Sequence, residues 1–288
     1  MSIPIETIIN TRSPADDETL ADSGFFWREC GEVKILVCGP LEAAGFVNGF
    51  STRLGGVSPF PAADLNLAGF DEDAAENIYE NRRRFLTAFD GDWRLATVWQ
   101  VHGDTIRNID AIADISESER RADSLTSDLE GVLVAVKTAD CVPVLIGDPT
   151  TGAYAAVHAG WQGTVSLIAA KAVDSLVRNY GSKPGNMIAA LGPAACGRNY
   201  EIGLNVIDEF EAKIPDSGKY FTPTRPGHAL VDLHRANRDQ LAAAGVADTN
   251  IFTAPYCTMD RHDLFFSYRI EKKANGKTGR LLAVIGRR

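Results

Sequence analysis

Three side chains able to bind a soft metal fall beside glycine-containing turns. They are His102 in Gln100-Val-His-Gly103, Cys141 in Thr138-Ala-Asp-Cys141, and His158 in Val157-His-Ala-Gly-Trp161. They lie 39 and 17 residues apart, a spacing that matches no regular ligand signature. Two imidazoles and one thiolate make a recurrent catalytic zinc set, with the fourth tetrahedral position left open for water or substrate. The same residues in a structural role are two hydrogen-bonded histidines and a buried thiol, since free cysteine is among the most buried residue types. At this level both readings stand.

Asp140 directly precedes Cys141. In an extended strand neighbouring side chains face opposite ways, so both reach one pocket only if the chain turns there. Pro143 points to such an irregularity, because it removes a ladder donor and restricts Val142. Asp140 is therefore either a turn cap or a catalytic acid/base. The segment Ser51-Thr-Arg-Leu-Gly-Gly-Val-Ser58 offers Arg53 and the backbone amides of Gly55 and Gly56 as an anion clamp, or else forms a polar turn. Phe265-Phe-Ser-Tyr-Arg269 and Thr278-Gly-Arg280 mix aromatics with cations, a pattern more often core than platform.

The elements that must position these residues read as alternating strands and helices. Strands are expected at Lys34–Val37, Ala96–Val101, Val132–Val136, Val142–Ile146, Tyr154–His158, Met187–Leu191, Ile251–Ala254 and Leu281–Ile285. One helix is expected from Val165 to Tyr180, with Thr164 as N-cap and Gly181 as its stop. A second runs from Ala75 to Phe89 after the cap candidates Asp71 and Asp73. A third, Leu233 to Ala244, lies between Asp232 and Gly245. No linker divides the chain, so one domain is expected over 25–288, after an acidic extension, 1–24, with too few apolar groups to order itself.

The 288 residues carry 29 Lys and Arg against 38 Asp and Glu, a net charge of -9, so no basic field exists to collect nucleic acid. No run approaches the roughly 18–20 apolar residues of a membrane span, and Met1–Leu20 lacks a basic stretch followed by an apolar one, which points to the cytoplasm. The five cysteines are scattered without a C-x-x-C pair, which argues against a disulfide framework.

Taken in order, Ser51-Thr-Arg-x-Gly-Gly-Val-Ser58, Asn66-Leu67, Asn81-Arg82, Gln100-Val-His-Gly103, Ala122-Asp123, Thr138-Ala-Asp-Cys-x-Pro143 and His158-Ala-Gly-Trp161 form a specific series. It continues through Leu191-Gly-Pro-Ala194, Tyr200-Glu-x-Gly203, Asp232-Leu233, Cys257-Thr258, Phe265-Phe-Ser-Tyr-Arg269 and Thr278-Gly-Arg280. From about Phe50 onward the chain thereby resembles the purine nucleoside phosphorylase family with a laccase-type domain, formerly called multicopper polyphenol oxidase and also peptidoglycan editing factor. The resemblance implies a single-domain α/β/β/α sandwich with mixed sheets and one zinc ion on His102, Cys141 and His158. It implies phosphorolysis of adenosine, inosine, guanosine and methylthioadenosine to base and ribose 1-phosphate, with adenosine deamination. A monomer or homodimer is expected.

For that chemistry Asp140 is the acid candidate, and Arg53, Gly55, Gly56 and Asn66 are the phosphate and substrate contacts. Two positions depart from the family pattern: Gln162 stands where arginine is usual, and Cys196-Gly-Arg-Asn-Tyr-Glu201 replaces a Cys-Cys-Tyr-Glu run. A rival reading makes Cys141 the nucleophile of an amide hydrolase acting on a cell-wall precursor, with His158 or His102 as base. Copper oxidation is disfavoured, because five histidines are too few for a blue-copper site plus an oxygen-reducing cluster.

Overall fold

The computed structural model describes residues 19–59, 63–68, 73–115 and 117–288. Seven strands form the first sheet: β1 (Phe25–Cys30), β2 (Val33–Cys38), β3 (Phe46–Ser51), β4 (Arg94–Trp99), β6 (Glu117–Arg121), β8 (Val132–Thr138) and β16 (Leu281–Arg287). Their spatial order is β1-β2-β3-β16-β8-β4-β6. A second sheet of six contains β5 (Ile106–Ile109), β7 (Ser124–Ser127), β9 (Val142–Gly147), β10 (Tyr154–Ala159), β11 (Ile188–Leu191) and β15 (Ile251–Thr253), in the order β15-β11-β9-β10-β7-β5. Both sheets mix parallel and antiparallel pairs. The small third sheet holds β12 (Glu201–Gly203), β13 (Phe221–Arg225) and β14 (His228–Val231), with β14 in the middle.

Strands buried on both faces read as continuous apolar runs, and β8, β9 and β10 are of this kind. Their alternate residues feed two different cores. Between the sheets, Phe50, Val134, Val136, Ala283 and Ile285 of the first sheet meet Leu125, Leu145, Tyr154 and Ala156 of the second. Tyr154 links the layers. Its ring is fully buried and meets Phe46 edge-on, while its hydroxyl lies 2.8 Å from the Leu129 carbonyl and 2.9 Å from that of Val132.

Helices cover the outer faces. On the first sheet lies α2 (Ala75–Leu86), whose Phe85 joins Ile35, Val37, Ala135 and Val284. On the second lie α4 (Ile168–Tyr180) and α6 (Leu233–Ala243), burying Ile168, Ala172, Leu176, Leu233 and Leu241 against Val144, Ala155 and Val157. The expected α/β/β/α sandwich is therefore the observed fold. Shorter helices are α1 (Gly39–Ala43), α3 (Trp161–Val165), α5 (Leu204–Lys213) and α7 (Tyr268–Asn275).

All eight expected strands are present, with differences at their ends. The helix expected from Val165 is in fact two, because Leu167 takes a left-handed φ of 62° and separates α3 from α4. Thr164 lies inside α3 rather than capping α4. Its hydroxyl and carbonyl accept hydrogen bonds from Asn237 and Gln240 of α6, so it serves helix packing. Asp232 does cap α6, accepting the Arg235 N–H at 2.9 Å, and Gly181 and Gly245 follow their helices in left-handed conformations. Asp73 stands one residue ahead of the α2 N-cap, Ala74, whose N–H it accepts; Asp71 lies outside the described residues. Of the expected acidic extension, 1–18 lie outside the described residues, and Leu20 is buried in the inter-sheet core. Among the described residues no helix is long and apolar enough to cross a membrane.

Candidate metal centre and active site

The site forms where strands of the two sheets end. The expected strand through Val101 stops instead at Trp99, because the next main-chain groups find other partners. Gln100 reaches across to β8, its amide nitrogen donating to the Lys137 carbonyl at 2.7 Å and its oxygen accepting the Lys137 N–H at 2.7 Å. A side chain thus stands in for a ladder rung and releases the backbone to turn. The following N–H groups of Val101, His102 and Gly103 all donate to the Asp123 carboxylate, at 3.2, 2.9 and 2.7 Å. His102 sits in the middle of this nest with φ 60°, a conformation that the three bonds hold in place.

Asp123, 0% exposed, precedes β7 and also positions the second imidazole. Its Oδ1 lies 2.9 Å from His158 Nδ1, and its carbonyl accepts the His158 N–H at 2.8 Å. His158 is the penultimate residue of β10, 3% exposed, with Pro143 of β9 opposite it. Because Nδ1 is held by Asp123, Nε2 is the ring nitrogen left to meet Cys141. The His102 and His158 rings meet edge-on with centroids 4.9 Å apart.

Cys141 completes the set from the β8–β9 turn. Asp140 adopts φ 89°, so the chain does turn between the two adjacent side chains. Ligand atoms of His102, Cys141 and His158 all lie within 4.8 Å of one another. Burial opposes ionisation of the Cys141 thiol, but His158 and His102 outweigh it and bring the thiol down to about 6. Burial likewise disfavours charge on His158, yet Cys141 and Asp123 raise it to about 9. Two imidazoles and a readily ionised thiol, with a carboxylate behind one ring, are the donor set and the supporting hydrogen bond of a transition-metal site.

Gly160 borders this centre. A Cβ there would stand 3.0 Å from Cys141 Sγ and 3.2 Å from His102 Cδ2. Gly160→Ala is accordingly expected to weaken metal binding by roughly tenfold, the equivalent of ~1–2 kcal/mol of overpacking, with little change in melting temperature. Metal titration of chelator-stripped protein checks this, and unchanged affinity would show that the site has room to spare.

Asp140 sits beside the trio, with its carboxylate turned to the start of α7. Oδ1 accepts the Thr258 hydroxyl at 2.7 Å and Oδ2 accepts the Arg269 N–H at 2.6 Å. Burial pushes this carboxyl above the usual range against those bonds. The Arg269 side chain is exposed, and its guanidinium carbon lies 4.8 Å from the Tyr200 ring centroid. Burial first, and then the charge on Cys141, raises the Tyr200 phenol, which ties Tyr200 to the same pocket.

The residues expected to clamp phosphate have a different neighbourhood. Arg53 is 6% exposed. It forms two parallel bonds of 2.9 Å to Asp64, one of 2.7 Å to Glu271 of α7, and one of 2.9 Å to the His262 carbonyl. Gly56 packs so closely that a Cβ would fall 2.0 Å from the Asp64 carbonyl oxygen, and the carbonyls of Gly55 and Gly56 accept from Arg84. Asn66 accepts the Arg280 and Ala68 N–H groups through its side chain, while its carbonyl takes a bond from Asn81. Arg53 is thus held between Asp64 and α7, Gly55 and Gly56 lie against Arg84 of α2, and none of these hydrogen bonds reaches the metal-ligand trio.

Asp123 is the residue whose role sequence reasoning missed, although it stood in the family series. Its signal was a lone carboxylate between Ala122 and Ser124 at the edge of a buried run. Arg269, Thr258 and Gln100 were likewise visible only as motif members. Gln162 is exposed in the first turn of α3, two residues past Gly160.

Sandwich and site together define an α/β/β/α protein with a two-imidazole, one-thiol ligand centre braced by a buried aspartate. Residues 47–288 match the family model described as multi-copper polyphenol oxidoreductase laccase, and the chain belongs to that family. It is 36% identical over 262 residues to the purine nucleoside phosphorylase YlmD of Geobacillus stearothermophilus, covering 88% of this chain and 94% of that protein. It is 39% identical over 239 residues to a purine nucleoside phosphorylase of Deinococcus radiodurans, covering 82% and 87%. The crystal structure of the Geobacillus YlmD superposes with a TM-score of 0.83 at 33% identity, covering 92% of this chain and 99% of that one.

Proposed function

We propose that the protein is a zinc-dependent purine nucleoside phosphorylase that also deaminates adenosine. The observation that carries this reading is the convergence of His102, Cys141 and His158, braced by Asp123, in a chain whose relatives bear the phosphorylase name. The donor set fits zinc: imidazole nitrogen and thiolate suit it, and three protein ligands leave one position open. When bound there, zinc supplies Lewis acidity at that open position.

The chain's own residues supply the rest. In phosphorolysis a phosphate oxygen bonds to ribose C1′ as the C1′–N9 bond breaks, and the departing purine accepts a proton at N7. In this reading Asp140 holds that proton, supported by the bonds that Thr258 and the Arg269 amide donate to its carboxylate. Arg269 takes the anion-binding role first expected of Arg53, because its guanidinium is exposed over the Tyr200 ring with a single 3.2 Å bond to the Glu201 carbonyl, whereas that of Arg53 is enclosed by two carboxylates.

Base release from adenosine, inosine, guanosine and methylthioadenosine, followed with and without phosphate, tests the reading. Phosphate-dependent release yielding ribose 1-phosphate is expected; release independent of phosphate would sink it. Arg269→Ala is expected to raise KM for phosphate about tenfold, matching the ~1.5 kcal/mol of one charged hydrogen bond, with kcat changed less. An unaltered KM would remove Arg269 from the anion site.

One feature favours the rival thiol hydrolase: Asp123, His158 and Cys141 form a carboxylate, imidazole and thiol array. The second imidazole, His102, serves a metal better than it serves a nucleophile that needs one base. Iodoacetamide distinguishes the two readings. Zinc-loaded protein should resist alkylation at Cys141 and lose that protection after chelation, whereas a free nucleophile is alkylated in both states.

A further inference from the structure

A second group of ligand-bearing side chains converges away from His102. The sulfurs of Cys196 and Cys257 and a carboxylate oxygen of Asp260 lie within 4.8 Å of one another. Around a tetrahedral ion with metal–sulfur bonds of ~2.3 Å, ligand atoms sit ~3.7 Å apart, so the closure needed is on the order of 1 Å or less. Two tight turns present these atoms. In one, Asn199 and Tyr200 donate their N–H groups to the Cys196 carbonyl; in the other, Asp260 and Arg261 donate theirs to the Cys257 carbonyl. A parallel bridge between Ala194 and Cys257 joins the two segments, and the Thr258 N–H donates to the Ala194 carbonyl at 3.0 Å.

Hydrogen bonds already orient two of the three atoms, whereas burial and the neighbouring Cys257 push the Cys196 thiol up to about 11, so its ionisation would need a cation. Cys257 Sγ accepts from the Cys196 N–H at 3.3 Å and from Asn199 Nδ2 at 3.4 Å. The same Asn199 nitrogen reaches Asp260 Oδ1 at 2.6 Å, while Arg198 grips Oδ2. N–H···S bonds spread the charge of a thiolate, and a carboxylate already fixed by hydrogen bonds is oriented before any ion arrives. Two thiolates and one carboxylate would carry three negative charges, which Arg198 together with a divalent cation would balance.

We propose that Cys196, Cys257 and Asp260 form a second metal site, taking a thiophilic divalent cation of the zinc class. The site adjoins the catalytic pocket. The Ala195 N–H donates to the Asp140 carbonyl at 2.9 Å, Thr258 holds the Asp140 carboxylate, and Tyr200 closes the Cys196 turn. An ion here stiffens the two turns that orient Asp140 and Tyr200. The proposal does not depend on the nucleoside reading.

Cadmium is the probe, added to full-length, reduced, chelator-stripped protein and followed by the ultraviolet thiolate-to-metal absorption and by cadmium retained after desalting. Cys141→Ser removes the thiolate of the His102 site, and the further loss of Cys196 then distinguishes the proposed site from the remaining thiols, Cys30 and Cys38. That variant is expected to keep a band from two thiolates, and Cys141→Ser/Cys196→Ser is expected to lose it. Asp260→Asn, an exposed and conservative change, should move the cadmium midpoint of the Cys141→Ser protein upward by roughly tenfold. Absence of the band in Cys141→Ser overturns the proposal, as does its survival in the double variant or an unmoved midpoint in Asp260→Asn. A Cys196–Cys257 disulfide formed with peroxide in protein that takes up no cadmium would assign the pair to redox chemistry instead.

Discussion

Asp123→Ala is expected to lower metal affinity by about 10–100-fold and global stability by about 3 kcal/mol. The first effect follows from the bond between Asp123 Oδ1 and His158 Nδ1, which fixes the ring and presents Nε2 to the ion. The second follows from three backbone N–H groups, those of Val101, His102 and Gly103, which lose their common acceptor. Each unsatisfied donor costs roughly 1–3 kcal/mol, reduced where water can enter. Asp123→Asn separates the two effects. It keeps the shape and one acceptor oxygen but turns an NH₂ group toward donors, so the left-handed His102 loop should loosen while the sandwich stays folded. Denaturation in excess chelator reports stability, and zinc titration against a chromophoric competitor reports affinity. Wild-type affinity in Asp123→Asn would mean that the carboxylate does not position the ligands.

Arg53→Ala is expected to destabilise the protein by about 3–5 kcal/mol, because it leaves the Asp64 and Glu271 carboxylates buried without their cation. At roughly 2–4 °C per kcal/mol for a chain of this size, melting should fall by about 10 °C. Burial alone disfavours the guanidinium charge, and the two carboxylates outweigh it, so Arg53 is held firmly protonated. The loss should reach the active site as well, since Glu271 lies on the helix whose Arg269 N–H holds Asp140. Arg53→Lys keeps the charge but loses the paired contact with Asp64, and should fall between wild type and alanine. Thermal melts decide the matter: an Arg53→Ala enzyme of normal stability with a raised KM for phosphate would restore Arg53 to the anion clamp and displace Arg269.

The apolar strands were legible because burial on both faces leaves continuous Val, Ile, Leu and Ala runs, as in Val132–Val136 and Val142–Ile146. The third sheet was not. Glu201–Gly203 is too short for periodicity, and Phe221–Arg225 is largely exposed, so neither carries a hydrophobic signal. The single long helix expected from Val165 failed for a related reason. The apolar rhythm continues through the break at Leu167, whereas the α6 side chains that bond the Thr164 hydroxyl and carbonyl just before it lie 73 and 76 residues away and enter no local pattern.

At the site, residue chemistry alone picked out His102, Cys141 and His158, because few side chains bind soft metals and fewer lie beside glycine turns. Alone, the sequence also determined the absence of a basic field and, through its ordered motifs, the family. Only the tertiary structure decided which groups surround each polar residue. Arg53 and Asp123 are both polar residues in loops, yet one is enclosed by Asp64 and Glu271, and the other faces His158 and the His102 nest. The partners that separate these roles are supplied across 218 residues for Arg53 and Glu271 and across 35 for Asp123 and His158. A buried charge takes its role from whatever neutralises it, and that partner is brought to it by the fold.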